Sequence, residues 1–239
     1  MSSDQAKPPR KIAVLISGGG TNLQALIDAL NTPRLPNAQI VLVFSNRKAA
    51  YGLTRASQAS PPIKTAYLAL QPFLKANPGK TRDDYDAEVA RIILLENPDL
   101  IVCAGWMHIF GDGFLNRVYP PGDHDTPGRV VVPVINLHPA LPGAFDGANA
   151  IERAYAAFQA GEIKQSGAMV HLLEKEVDKG PPLLVRSIDM HQGEAMETFA
   201  ERLHKVEWEI IVEGTKIMCD RLSGDGAFHK LYGLLIWKI

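Results

Sequence analysis

The sequence predicts a single α/β domain: a mostly parallel, twisted sheet with helices on both faces, followed by an antiparallel hairpin and a long helix. Two observations support this prediction. In the first half of the chain, short runs of continuous apolar residues alternate with segments of helical period, as in parallel strands buried on both faces. After residue 147 the order changes to one helix, two adjacent strand-like runs and a final helix.

Apolar runs predict five strands in the first half of the chain. The predicted strands cover residues 11–16, 39–45, 65–70, 99–105 and 130–136. The helical segments between them cover residues 23–30, 49–59 and 81–97. Strands joined by helical crossovers lie parallel to one another, so this half is predicted to be of the Rossmann type.

The second half opens with a predicted helix over residues 148–161. The runs 167–177 and 181–190 predict an antiparallel pair joined by a turn at 178–180, and the last helix is predicted over 194–222. We expect a disordered leader, a folded domain and a tail of undefined structure, with the boundaries 1–10, 11–222 and 223–239.

The bulk composition argues against several classes of protein. Of the 239 residues, 46% are hydrophobic and 21% are charged, which is ordinary for a globular domain with a full core. A net charge of −1 gives no attraction to nucleic acid or to a membrane surface, and no apolar run is long enough to cross a bilayer. Cys103 and Cys219 are far apart and show no metal-binding spacing, which favours the reducing cytoplasm and predicts no metal site.

The stretch SGGGTN, residues 17–22, lies between the first strand and its helix, where α/β proteins bind anions. Its glycines let backbone N–H groups approach a phosphate, and Thr21 and Asn22 could cap the helix or contact the ligand. Leu23 takes the place of the third glycine of a dinucleotide motif, and no Walker-type Gly-Lys-Ser/Thr follows. The loop therefore predicts a site for a single phosphate group; the alternative is a tight turn without a ligand.

The fifth predicted strand ends with Asn136, Leu137, His138 and Pro139. Side chains two residues apart on a strand point to the same side, so Asn136 and His138 would project together until Pro139 stops the strand. An imidazole exchanges protons near neutral pH and an amide can donate to a developing oxyanion, a pair that fits acyl-type transfer. Without a G-x-S-x-G nucleophile motif, direct attack by a substrate amine is favoured. The alternative is a polar strand end with a satisfied histidine.

A third candidate, Asp178, lies in the predicted turn between the last two strands. An aspartate close to a glycine is ordinary turn chemistry, and the residues alone favour that interpretation. Asp178 becomes part of the site only if the turn folds over the end of the sheet.

Five stretches of the sequence carry a family resemblance. They are AVLISGGGTNLQALID, VFSNRKAAYGLTRA, AGWMHIF, INLHPALPGAFDG and GAMVHLLEKEVDKGPPL. In this order, over roughly residues 11–215, they resemble the folate-dependent phosphoribosylglycinamide formyltransferases. The first is similar to that family's phosphate loop, the third to its folate-contacting segment, the fourth to its Asn-x-His-Pro motif and the fifth to its hairpin with a catalytic aspartate. Five motifs in order make the resemblance specific.

The resemblance implies a formyltransferase-like fold and transfer of the formyl group from 10-formyltetrahydrofolate to the amine of glycinamide ribonucleotide, in de novo purine biosynthesis. It implies a catalytic trio of Asn136, His138 and Asp178, nucleotide contacts from Gly20, Thr21, Asn22 and Glu207, and folate contacts from Arg82, Met107, His108, Ile109, Phe110 and Asn136. A nearby Asp178 carboxylate would raise the pKa of His138 by favouring the charged imidazole. Small molecules are the only implied partners, without nucleic acid, membrane or metal, and the chain would be a monomer or a homodimer.

The sequence departs from the family pattern at several positions. Ala140 stands in place of a serine, His108 stands where arginine is common, and Trp208 stands where histidine is typical. A Pro/Gly/Asp-rich insertion occupies residues 119–129. Two alternative functions stay open. One is a formyltetrahydrofolate hydrolase, which carries an extra N-terminal regulatory domain and lacks this glycine loop, and the other is a non-catalytic nucleotide-binding module.

Overall fold

The computed structural model describes residues 7–121 and 131–223. Its strands are β1 (Arg10–Ile16), β2 (Ala38–Ser45), β3 (Thr65–Tyr67), β4 (Leu100–Cys103), β5 (Val134–His138), β6 (Gln165–Leu172) and β7 (Pro182–Asp189). They form one sheet in the order β3-β2-β1-β4-β5-β6-β7. The pairs from β3 to β5 are parallel, whereas β6 pairs antiparallel with both β5 and β7. The predicted sheet and hairpin are confirmed.

Helices cover both faces of this sheet. They are α1 (Thr21–Ala29), α2 (Tyr51–Gln58), α3 (Leu70–Ala76), α4 (Arg82–Leu94), α5 (Asp112–Val118), α6 (Ala150–Gln159) and α7 (Met196–Leu222). Val14 of β1 packs in a core shared with α1, α6 and α7, and its neighbours Ala13 and Leu15 pack in a second core shared with α4 and α5. Burial on both faces explains why the central strands are continuously apolar.

Two helices were not predicted, and several strand limits differ from the prediction. The third strand stops at Tyr67, and α3 begins at Leu70, where a strand was predicted. Neither α3 nor α5 was predicted; both are only seven residues long and give little periodic pattern. The fifth strand begins at Val134 instead of residue 130, because Pro133 has no N–H to donate to the sheet.

The connection between β6 and β7 is longer than the predicted three-residue turn. β6 ends at Leu172 and β7 begins at Pro182. The amide of Leu173 donates to the carbonyl of Val134, so the chain stays against β5 while it leaves β6. Residues 173–181 therefore form a loop beside β5 that can reach the polar end of that strand.

The ends of the predicted domain shift slightly. Arg10, assigned to the leader by the sequence, begins β1, and its guanidinium donates to the carbonyl of Leu222 at the end of α7 (2.7 Å). The rest of the predicted leader before residue 7, most of the 119–129 insertion, and the tail after Ser223 lie outside the described residues. None of the helices in the described ranges has the length and apolar character needed to cross a membrane.

Candidate active site

A cavity of about 340 Å³ lies where β4 and β5 end, the edge at which parallel α/β sheets bind ligands. The glycine loop, the segment after β4 and the end of β5 all reach it, as the strand order predicted. Its lining includes Thr21 and Asn22 of α1, residues 105–110 and 136–139, residues 147–151 at the start of α6, part of the 173–178 loop, and His204 and Glu207 of α7.

The end of β5 presents Asn136 and His138 to the cavity together, as their spacing predicted. Asn136 lies opposite Cys103 of β4 and His171 of β6, in the middle of the sheet. His138 is buried, and within the described residues its Nε2 atom has no hydrogen-bond partner. A buried polar atom without a partner at a cavity wall indicates a position that a ligand satisfies.

The loop after β6 brings Asp178 to these two side chains. Its Oδ1 accepts a hydrogen bond from Asn136 Nδ2 at 3.2 Å, and its Oδ2 lies 3.3 Å from His138 Nδ1. The amide of Gly147 also donates to Oδ2, at 2.8 Å. The turn therefore folds over the crevice, and Asp178 joins the group instead of serving the turn alone.

His171 is a fourth member of this group, which the sequence analysis missed. Its Nδ1 lies 2.9 Å from the carbonyl oxygen of Leu172, an acceptor only, so Nδ1 carries a hydrogen. In the neutral ring Nε2 is then an acceptor, and Asn136 Nδ2 lies 3.1 Å from it. Both N–H groups of the Asn136 amide are thus engaged, one by Asp178 and one by His171. A histidine on the strand predicted to follow the Asn–His strand was the available signal.

Burial sets the protonation state of His138. Desolvation by burial lowers its pKa, and the positive potential of His171 acts in the same direction; the charge of Asp178 opposes them but does not prevail. Asp178 does raise the pKa of His138, as expected, but burial, which was not visible in the sequence, outweighs it and the net shift is downward. With Nδ1–H directed at Asp178, the neutral ring offers the lone pair of Nε2 to the cavity.

Asp178 is held in its ionised form. Burial by itself would raise its pKa, but the imidazole of His171 at 3.4 Å, the Gly147 amide and the imidazole of His138 outweigh burial, and the pKa is lowered. The carboxylate is therefore charged at neutral pH and keeps Nδ1 of His138 as a donor.

The segment after β4 forms the mouth of the cavity. Met107 and Ile109 are large apolar side chains that are 69% and 55% exposed. Phe110 is buried and stacks with Trp106 (5.3 Å between ring centroids) and Phe114 (3.7 Å). An aromatic layer thus supports an apolar rim, as a site for a flat aromatic ligand requires.

The His108 side chain contacts Asp86, a residue that the sequence analysis did not single out. Its Nε2 lies 2.6 Å from Oδ1 of Asp86, a carboxylate of α4 that is fully buried and also accepts the Gly111 amide at 2.7 Å. Arg82, at the start of the same helix, donates to the carbonyl of Ile109 (2.6 Å) and does not line the cavity. Both side chains therefore fix the mouth segment to α4 in this structure, and direct folate contacts by them stay predictions.

The glycine loop is packed against α2. Gly20 has a left-handed φ of +71°, and a Cβ there would lie 2.6 Å from the Cα of Gly52. Arg55, on the same helix, donates from Nε to the carbonyl of Gly19 (2.8 Å). Thr21 and Asn22 line the cavity but Gly20 does not, and the Oδ1 atom of Asn22 is buried without a partner in the described part of the chain.

Helix α7 contributes Glu207 to the lining of the cavity, and its contact with the nucleotide stays a prediction. Glu207 is buried, and its Oε2 accepts a 2.5 Å hydrogen bond from Nδ1 of His204 one turn earlier. This bond raises the pKa of His204. His204 was missed, although its i,i+3 spacing to Glu207 was the signal. Among the described residues, no group of three or more His, Cys, Asp or Glu side chains could hold a metal ion.

A doubly wound sheet with a glycine loop and an Asn–His–Asp group at one cavity is the arrangement of an α/β enzyme that acts on small molecules. The family model described as formyl transferase matches residues 10–215. The chain belongs to the formyl transferase family.

Individual relatives agree with this assignment. The chain is 44% identical over 209 residues to phosphoribosylglycinamide formyltransferase of Dictyostelium discoideum, covering 87% of this chain and 97% of that protein. It is 45% identical over 204 residues to phosphoribosylglycinamide formyltransferase of Schizosaccharomyces pombe, covering 84% and 93%. Among solved structures, glycinamide ribonucleotide transformylase 1 from Symbiobacterium toebii superposes with a TM-score of 0.71 at 29% identity, covering 89% of this chain and 88% of that one.

Proposed function

We propose that this enzyme transfers the formyl group of 10-formyltetrahydrofolate to the amine of glycinamide ribonucleotide, in de novo purine biosynthesis. The grouping of Asn136, His138 and Asp178 at one wall of the cavity carries the proposal. In the reaction the amine nitrogen bonds to the formyl carbon, the bond from that carbon to the folate nitrogen breaks, and one proton moves from the first nitrogen to the second. The relatives named for this activity support the choice of substrates.

His138 carries that proton. Its neutral ring, with Nδ1 as donor to Asp178, can accept a proton at Nε2 from the attacking amine. The resulting imidazolium lies beside the ionised Asp178, which stabilises it until the proton passes to the leaving nitrogen. Because the pKa of His138 is lowered, the ring starts neutral and, once protonated, gives up its proton readily to the leaving nitrogen.

Asn136 donates to the formyl oxygen as negative charge develops there. Its two N–H groups are directed at Asp178 and His171. One of them therefore exchanges its acceptor for the formyl oxygen when 10-formyltetrahydrofolate binds. The bond to Asp178 is the longer of the two, at 3.2 Å, and Asp178 keeps the Gly147 amide as a donor after the exchange.

The two substrates occupy opposite ends of the cavity. Thr21, Asn22 and the amides of the glycine loop bind the ribose phosphate, with the N-terminal end of α1 contributing its partial positive charge. Glu207 reaches the rest of the nucleotide from α7. Met107 and Ile109 pack against the pterin of the folate at the mouth.

Release of tetrahydrofolate, followed by absorbance with and without glycinamide ribonucleotide, tests the proposal. We expect turnover only when the nucleotide is present. Turnover without it would identify a formyltetrahydrofolate hydrolase, and no turnover in either case would identify a binding module.

Replacing Gly20 by alanine tests the nucleotide end. The added methyl would meet the backbone of Gly52 at 2.6 Å and force the loop out of its left-handed turn. We expect the KM for the nucleotide to rise about tenfold, a loss of about 1.4 kcal/mol of binding, with the folate KM unchanged. Gly193→Ala is the control, because Gly193 has a similar left-handed φ of +76°, does not line the cavity, and a Cβ there meets no atom within 4 Å. Equal losses for both substrates would contradict a phosphate-binding loop.

A cytoplasmic location fits this function. Cys103 and Cys219 are both buried free thiols, as expected in a reducing compartment.

A further inference from the structure

Two charged residues join the loops on either side of Asp178. Lys179 forms an ion pair with Asp146, and the residues next to them, Asp178 and Gly147, are joined by the hydrogen bond from the Gly147 amide. Neither Lys179 nor Asp146 lines the cavity. The 173–181 loop and the segment before α6 are thus connected at two successive positions, one inside the cavity and one outside it.

The segment before α6 is the anchored partner. Arg153 of α6 donates to the backbone carbonyl of Asp146 at 2.8 Å, and its guanidinium lies 5.7 Å from the ring centroid of Phe145. On the other side, Asp178 has a left-handed φ of 56°, and the Lys179 amide makes a 3.3 Å bond to the carbonyl of Glu176. Together with the ion pair between Lys175 and Asp112 (2.9 Å), the ion pair of Lys179 with Asp146 therefore holds the 173–181 loop against the rest of the domain.

We propose that Lys179 and Asp146 form a latch that keeps the Asp178 carboxylate within hydrogen-bonding distance of Asn136 and His138, so that both are positioning residues for formyl transfer. The proposal rests on the proposed function. The contacts of Asp178 with Asn136 and His138 are 3.2 and 3.3 Å long, and a small displacement of the loop would break both.

The latch also balances charge near His138. The charged groups that act on its ring are Asp178 from the loop, His171 from β6 and Asp146 from the segment before α6. The Oδ1 atom of Asp146 is buried without a hydrogen-bond partner in the described ranges, so Lys179 is the cation that compensates this carboxylate. Removing Lys179 exposes His138 to an uncompensated negative charge, whereas removing Asp146 takes that charge away.

The kinetic test compares Lys179→Met, Asp146→Asn and the double variant with wild type. We expect each single variant to lower kcat about fivefold, the contribution of a good exposed ion pair, and the double variant to be no slower than either one. Lys179→Arg keeps the charge and should retain most of the activity. Lys64→Met is the matched control, because Lys64 forms a comparable long-range ion pair with Glu96 away from the cavity (2.7 Å).

Two NMR measurements on the protein without substrates separate positioning from a merely structural role. The Gly147 amide should exchange with solvent faster in both single variants. The pKa of His138 should rise in Lys179→Met and fall in Asp146→Asn. Unchanged Gly147 exchange, pKa shifts of the same sign, or rate losses that multiply in the double variant would overturn the latch. Failure of the wild type to formylate the nucleotide would instead overturn the proposed function.

Discussion

Replacing His138 by alanine is expected to lower kcat by about 10²–10⁴-fold, the usual loss when an acid–base group is removed. The variant has no atom at the position of Nε2, which in the described part of the chain is the nitrogen of the His138 ring without a hydrogen-bond partner. The ionised Asp178 stays in place, but it cannot accept and return a proton because its pKa is lowered. Steady-state rates with both substrates saturating give the effect, since substrate binding does not depend on this proton.

His191→Ala is the matched control for this prediction. His191 is an exposed histidine that does not line the cavity, so its replacement should leave kcat unchanged. A His138→Ala enzyme that unfolds at the same temperature as wild type and turns over at a similar rate would remove His138 from the proposed mechanism.

Asn136→Ala is expected to lower kcat by about 10²–10³-fold, the loss seen when one oxyanion donor is removed. The amide acts on the charge that develops in the transition state, so kcat should fall more than either KM rises. The same change removes a hydrogen bond to Asp178 and one to His171, which adds to the loss by loosening the group. Initial rates over a range of each substrate separate the two parameters.

Asn116→Ala, an exposed position on α5 outside the cavity, provides the comparison. The effects of Asn136→Ala and His138→Ala should not multiply when combined, because the two side chains serve one step. If Asn136→Ala changes only the KM values, the amide binds substrate without stabilising the transition state.

The sequence predicted the sheet well because strands buried on both faces appear in it as continuous apolar runs. Strands β1 and β2 were found within one residue of their limits, and the long α7 within two. The sequence was a poorer guide to elements whose existence or limits depend on tertiary contacts. α3 and α5 are short helices held mainly by packing on α4, and the start of β5 depends on the missing amide of Pro133.

The candidate site likewise contains residues that could be predicted from the sequence and residues that could not. Asn136 and His138 could be paired from strand geometry alone, whereas the turn of Asp178 gave no sign of folding over the sheet, and only the family resemblance implied its role. Two neighbours that hold these side chains, His171 beside Asn136 and Asp86 beside His108, are single residues on elements with no distinctive sequence pattern. The net direction of the His138 pKa shift could not be predicted for a related reason, because desolvation depends on surroundings contributed by distant parts of the chain.

The left-handed backbone at Asp178 narrows the choice of residue there on stereochemical grounds. Among acidic side chains, aspartate tolerates this region of φ far better than glutamate does, because its short polar arm can bond locally. Glutamate would keep the charge but carry one more methylene and a less suitable backbone. Position 178 is thus constrained twice, by the need for a carboxylate and by the left-handed backbone. Replacing Asp178 by asparagine removes the charge and keeps a side chain that suits this backbone.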